Sequence, residues 1–471
     1  MRLVELYRSI SQLHENPRLL AFATTPLGQL IVWLLATILM WQSSLLQAVP
    51  LFLAAALIWP ERVKQILGLG SLWYLLDMLQ SHGITEWSVL GGGMAAILLL
   101  LYGIYRAGRH FPALPGPVQK HPIITLHLIV VTALLAVPPL KEHYPNIWPM
   151  ALLFVALLPF LVWRTGNLML SARRRHNKLG GFGDHLYYFL PLWDGSNVPY
   201  GKGHDYLASR QAIDQAQLTR SRLGGLKLLV LAWLWSGARW LMDATLYADQ
   251  SDSGPLLYRL GQMINGQTLS LHQAWAGIFA DLVYATLGLA LFGHFVIGTL
   301  RLFGFNVFRN TYKPLLAQSI VDFWNRFYYY FKELLVDFFF YPTFLSYFKK
   351  SPRLRMFAAV MAAAFVGNFY YHTIMWLAWG EASFWSGNGL ATRIEPYLFY
   401  TFMLGVGVYI SMLREQARRG KPIVPSAFPM LRTLRRIAGV WLFFGLIRIW
   451  DVGAVATLEQ RMNFFGSLFG L

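Results

Sequence analysis

Ser319-Ile-Val-Asp322-Phe-Trp324-Asn325-Arg326-Phe-Tyr328 opens the stretch that decides the fold, and an apolar span at 354–379 carrying a lone His372 closes it. A histidine deep in an apolar span is costly unless it is paired or at work. A polar, aromatic helix just ahead of it reads as the wall of a reaction chamber rather than as a lipid anchor. Asp322 and Arg326 stand four apart, the spacing at which opposite charges pair on one helical face. Asn325, Tyr329, Lys332 and Glu333 extend that polar stripe, while Phe323, Phe327, Tyr330, Leu334 and Phe338 form the apolar side. Between Phe323 and Phe348, fourteen of 26 residues are aromatic. An interfacial amphipathic helix is the plain alternative. The mixed signs of Asp322, Arg326, Glu333 and Asp337 favour a polar cavity, because a surface anchor would be mainly basic.

Within the following span, Asn368 lies four residues before His372 on the same face. An amide there is expected to fix the imidazole tautomer and leave the other nitrogen free to act as a general base. A structural hydrogen bond to a neighbouring helix is the competing reading. Ala362, Ala363, Ala364 and Gly367 allow close helix approach. No second histidine stands within a helical turn, so no metal site is expected.

Composition fixes the class. Hydrophobic residues make up 56% of 471 and charged residues 13%, against about 25% charged in a soluble domain. Apolar spans read near 28–42, 45–59, 66–79, 87–104, 122–139, 147–164, 224–242, 272–299, 356–378, 395–413 and 437–450. Several are shorter than the ~20 residues that cross a bilayer upright. The expected fold is therefore an all-α integral membrane protein with about eleven transmembrane helices plus re-entrant or interfacial helices. The net charge of +18 is topological. With the N-terminus inside, 33 of the 40 Lys and Arg fall on inner segments, against four on outer loops and three in spans. That is the positive-inside bias, and it argues against nucleic acid as a partner. The chain has no Cys, so thiol nucleophiles and Cys-ligated metals are excluded.

No linker or repeat divides the chain, which reads as one polytopic membrane domain over 1–471. Its parts are N-terminal helices (1–164), a cytoplasmic, partly re-entrant segment (165–223), a core (224–380) and C-terminal helices (381–471). The segment at 165–223 opens with Arg173, Arg174, Arg175 and Lys178, a cluster suited to anionic headgroups. It continues into 181–207, which is too short and too interrupted by glycine and proline to span. Together with 328–348, it is expected to enter the membrane without crossing it and to line one cavity with the 356–378 helix. His185 and His204 are candidates for a donor entrance. Asp281 and His294 in the 272–299 span are read as structural, and Arg239, Asp243 and Arg448 as snorkelling at span ends.

The run Ser319-x-x-Asp322-Phe323-Trp324-x-Arg326-Phe327, followed by Asp337, Tyr341 and then His372, resembles the signature of bacterial membrane-bound O-acyltransferases (MBOAT). In that family a Ser-x-x-Glu/Asp-Phe-Trp-x-Arg-Trp-His run precedes an Arg-Asp-Tyr element and a histidine in an apolar helix. Phe189-Leu190-Pro191 and the segment 200–207 are loosely similar to a second family element. The resemblance covers about 185–380. It implies a ring of tilted helices around a thin centre where an acyl donor on the inner side meets a hydroxyl acceptor. The implied donor is acyl-CoA or another acyl thioester, with no tightly bound cofactor and no metal. The implied partners are the bilayer, an envelope glycan, lipid or small-molecule acceptor, and an extracytoplasmic or carrier protein. Short acyl groups such as acetyl, and the bacterial inner membrane, follow from the same relatives. On this reading His372, Tyr328 and Asn368 are catalytic, and Asp322, Trp324, Asn325 and Arg326 bind substrate. His372 takes the acceptor proton. Tyr328, Asn325 or Asn368 donates to the developing oxyanion. The chain departs from the family where Tyr328 replaces its first histidine and Thr373 replaces the glycine after its second. Two other readings stand beside this one: an acyltransferase-shaped scaffold without chemistry, and a transporter or flippase.

Overall fold

The computed structural model describes residues 12–41, 48–81, 85–113, 116–143, 148–174, 180–193, 198–246, 254–379, 387–419, 428–452 and 456–471. Among these, every regular element is helical, and the one strand-like contact is an isolated bridge between Gln211 and Phe305. Helices satisfy their own backbone hydrogen bonds, which is what an apolar solvent demands. Four helices are long and apolar enough to cross a membrane: Trp87–His110, Leu271–Leu302, Pro352–Trp376 and Ile394–Arg418. A fifth is counted if Pro17–Thr24 and Pro26–Met40, bent by 97° to each other, form one broken span. Eleven apolar stretches in sequence thus correspond to fewer full-length spans. Val49–Ile58, for example, has ten residues, about 15 Å of helix. The bend at Thr25 has a local cause. Its hydroxyl accepts from the Gly28 amide at 3.1 Å, and Pro26 at the first helical position cannot continue the preceding ladder.

The chain forms two units, Met1–Leu135 with Phe160–Trp233 and Phe292–Arg309, and Ala136–Pro159 with Leu234–Leu291 and Asn310–Leu471. In the first, Gln215–Leu246 and Leu271–Leu302 meet backbone to backbone. A methyl group on Gly225 would lie 2.7 Å from the Gly298 carbonyl oxygen. The carbonyls ending the second helix are taken up by Ser221 Oγ (2.9 Å to Arg301 O) and Arg222 Nε (3.2 Å to Leu302 O).

In the second unit, the motif region is a relay of short helices, Ile320–Phe327, Tyr329–Leu335 and Tyr341–Ser346, where the sequence reads as one continuous helix. The break is at Tyr328 (φ −137°, ψ 73°). The reason is tertiary: the extended strand of chain at 310–312 takes over the backbone groups at the junction. Tyr312 N donates to Arg326 O (2.7 Å), Thr311 Oγ1 to Phe327 O (2.9 Å) and Tyr329 N to Asn310 O (3.0 Å). Two stretches widen to π-helix, Val336–Phe340 and Ala362–Gly367. They pack on each other, with the Phe339 ring seated on bare Gly367; a methyl group there would be 2.6 Å from Cδ2. Such π-bulges concentrate at functional sites. Segments 328–348 and 356–378 both belong to this unit, whereas 181–207 belongs to the first. The side chains of the basic cluster 173–178 lie outside the described residues.

Candidate functional site

Ser319 starts the motif helix by capping it. Its Oγ accepts from the Asp322 amide at 3.0 Å and donates to Glu415 at 2.6 Å. The Val321 amide also donates to Ser411 Oγ (3.4 Å), so the helix start is fastened to Gly387–Arg418. Arg326 Nε meets Asp322 Oδ1 at 2.7 Å, the pairing that the four-residue spacing predicts. Both side chains are about one third exposed, so the pair contributes little stability by itself. Its effect is to hold the polar face of one and a half helical turns. Asp322 Oδ2 additionally accepts from the Gln318 amide at 3.2 Å. Asn325 is exposed. Because the helix breaks at Tyr328, the stripe does not run on unbroken to Lys332 and Glu333, which form a neighbouring ion pair of their own.

His372 sits in Asn368–Trp379, the helix that follows the second π segment. Its imidazole is surrounded by rings: Tyr397 at 4.8 Å between centroids, Phe331 at 5.8 Å and Trp376 at 6.1 Å. Phe331 is the link to the motif. It lies 5.2 Å from Tyr328, 6.2 Å from Trp324 and 4.6 Å from Tyr371. The break at Tyr328 starts the new helix that carries Phe331 to this position. Tyr328, Trp324 and His372 are therefore gathered around one phenyl ring, while Asn325 and the Asp322–Arg326 pair occupy the more open side.

Asn368 is buried at 2% exposure, and its Oδ1 accepts from Tyr397 Oη at 3.4 Å. The expected Asn368–His372 contact one turn along is thus replaced by a bond to another helix, because Tyr397 reaches the amide first. Trp324 Nε1 is buried and, among the described residues, has no hydrogen-bond partner. Its ring packs on Phe327, Phe331 and Phe444.

Behind Tyr397 lies a charged cluster. Arg448 places Nε 3.0 Å from Asp281 Oδ2 and Nη1 2.7 Å from Asp451 Oδ2. Arg448 does not snorkel outward as its place at a span end suggests; two carboxylates hold it inward. Arg239 is likewise turned onto a ring, 4.0 Å above Tyr284, whose hydroxyl donates to Asp243 at 3.3 Å. Phe331, Tyr397 and the Asp281–Arg448–Asp451 cluster escaped sequence reasoning. An aromatic in an aromatic-rich run carries no local mark, and the cluster joins residues 167 apart in sequence.

In the first unit, His185 and His204 stack at 4.2 Å. His204 Nε2 lies 3.1 Å from the Asp184 carbonyl. Burial, then the neighbouring His185, lowers the His204 pKa to about 4. Arg164, buried completely, donates to the Phe189 carbonyl and faces the Tyr200 ring at 4.8 Å. Tyr188 Oη donates to the Tyr200 carbonyl at 3.0 Å, and Asn167 Nδ2 to the Gly201 carbonyl at 3.0 Å. The segment 181–207 is therefore built around buried polar and aromatic groups. Among the described residues, no group of three or more His, Asp or Glu side chains is arranged to hold a metal ion. No known protein family and no curated protein matches this chain.

Proposed function

We propose that this protein is a membrane-bound O-acyltransferase of the MBOAT kind, with His372 as general base. The observation that carries the reading is the contact of one ring, Phe331, with both Tyr328 of the motif and His372 of the apolar helix. A motif and a histidine 44 residues apart in sequence thereby share one wall. The donor is acyl-CoA or another acyl thioester. The acceptor is a hydroxyl of an envelope glycan, a lipid or a small molecule. A short acyl group, delivery by a carrier protein, residence in the bacterial inner membrane and a cytoplasmic N-terminus complete the reading, with about eleven membrane-crossing or membrane-entering helices.

The chemistry follows from the groups. The acceptor oxygen attacks the thioester carbonyl carbon while its proton passes to the His372 imidazole. The carbonyl π electrons move onto oxygen. Collapse of the tetrahedral intermediate re-forms the carbonyl and breaks the C–S bond. The departing sulfur takes the proton from the imidazolium, which yields ester and thiol and restores His372. The surrounding rings exclude water, which would otherwise compete as acceptor. With no Cys in the chain, direct transfer is preferred to a thioester enzyme intermediate.

The test is transfer by purified protein in lipid nanodiscs from labelled acyl-CoA, alongside mass spectrometry of envelope and small-molecule fractions from cells with and without the protein. A product that appears only with intact His372 supports the reading; no acylated product in any fraction removes it. A transport reading is favoured by one observation, the buried Asp281–Arg448–Asp451 cluster, since ionisable groups within a membrane often mark ion pathways. Substrate movement across sealed vesicles without acylation would replace the enzymatic reading with that one.

A further inference from the structure

We infer that Trp324 is a catalytic residue, its indole N–H donating to the carbonyl oxygen of the acyl group as negative charge develops there. The inference rests on the acyltransferase reading and changes its donor assignment. An oxyanion needs a donor that is already desolvated and not engaged elsewhere, because donors fixed in advance cost no reorganisation at the moment of reaction.

The residues named by sequence meet that requirement unequally. Asn325 is exposed. Asn368 is buried, and its side chain is tied to Tyr397. Trp324 Nε1 is buried and has no acceptor among the described residues, although a buried indole N–H ordinarily finds a partner. Its ring is fixed on three sides by Phe327, Phe331 and Phe444 at 5.9, 6.2 and 6.4 Å. The donor is therefore held in place by packing, and the same Phe331 touches His372 at 5.8 Å. Base and donor border one ring, the arrangement required for a carbonyl that lies between an attacking hydroxyl and an electrophilic N–H.

In the step itself, the acceptor O–C bond forms as the carbonyl π pair moves to oxygen. Trp324 Nε1–H donates to that oxygen without giving up its proton, and His372 receives the hydroxyl proton. When the C–S bond breaks, the pair returns to the carbonyl and the sulfur is protonated by His372.

Three measurements decide the matter. In wild-type protein, the carbonyl stretch of a bound methyl-ketone analogue of acyl-CoA should fall below its frequency in an apolar solvent. Trp324→Phe keeps the ring packing but removes the N–H. It should reverse that shift and lower kcat by about 10²–10³-fold with KM nearly unchanged. Trp324→His, which restores a ring N–H, should recover part of the loss. An unshifted carbonyl in wild-type protein that still transfers acyl groups overturns the assignment to Trp324 alone, as does wild-type kcat in Trp324→Phe. Wild-type protein that neither binds the analogue nor transfers an acyl group overturns the acyltransferase reading and this inference with it.

Discussion

The hydroxyl of Tyr397 donates to the side-chain oxygen of Asn368 across 3.4 Å, and the ring of the same tyrosine rests 4.8 Å from His372. One side chain thus holds the amide expected to orient the histidine and also packs on the histidine itself. Asn368 and His372 share a helix face, yet their connection runs through a residue on another helix. Tyr397→Phe should keep the ring contact and lose only the bond to Asn368. A fall in acyl transfer of about tenfold or less is expected, with Tyr397→Ala far more damaging. Equal effects of the two substitutions in the nanodisc assay would sink the division of labour.

His372→Ala should lower transfer by about 10²–10⁴-fold, the usual cost of removing a positioned base. Alanine is the best helix former, so membrane expression and the melting temperature in detergent should stay close to wild type. Full product formation by this variant would end the general-base assignment.

Much of this region is legible in sequence, and the remainder is hidden for physical reasons. The Ser319 cap and the Asp322–Arg326 pair are local, set by three- and four-residue spacing, and both form. The small residues before His372 foretell a close approach, and Gly367 under Phe339 is one. The break at Tyr328 is not local. It depends on Asn310, Thr311 and Tyr312 supplying partners to a junction that periodicity reads as unbroken helix. The Arg448 cluster is hidden in the same way, because an arginine at the end of an apolar run looks identical whether it reaches for water or for two buried carboxylates. Counting apolar stretches also cannot separate a full crossing from a ten-residue helix such as Val49–Ile58.

Arg448→Met should be far more disruptive than Asp281→Asn. The first leaves two carboxylates without their shared cation, a loss on the order of 3–5 kcal/mol for a buried pair; the second leaves Arg448 bonded to Asp451. Thermal unfolding in detergent should show a large drop for Arg448→Met and a small one for Asp281→Asn. The reverse order would mean that the cluster does not stabilise the fold.

Gly367→Ala should destabilise the protein by about 1–3 kcal/mol, the cost of forcing a methyl group into filled space. The added carbon would stand 2.6 Å from the Phe339 ring and push the two π segments apart. Ala363→Gly in the same segment adds no bulk and serves as the control. An unchanged melting temperature for Gly367→Ala would show that Phe339 can swing away freely.

His204 gives the first unit a pH dependence whose direction is fixed. Its pKa falls from 6.5 to about 4 in the folded protein. Between these values the unfolded chain binds the extra proton, so stability rises with pH. The contribution is complete above about 6.5 and is lost as pH falls toward 4. His204→Gln should flatten that part of the stability–pH curve measured by thermal unfolding. An unaltered curve would assign the acid sensitivity to other groups.

Cysteine labelling checks the topology in a chain that has no cysteine of its own. A cysteine at Arg418, at the exposed end of Gly387–Arg418, should react with an impermeant maleimide only after the membrane is opened. Labelling in intact cells would invert the proposed orientation.

The π segment Ala362–Gly367 makes residue number itself a determinant of the site. A widened turn holds one residue more than an α-turn would, so deleting one residue from it lets the helix close back into regular geometry. Everything beyond the deletion then turns by about 100° about the helix axis, the angle of one α-helical residue. His372 would leave Phe331 and Tyr397 without any change in its own chemistry or in the helix that bears it. An insertion elsewhere in 352–361 could turn it back. The histidine's facing is thus stored as a count, and a single-codon deletion acts on it as a rotation.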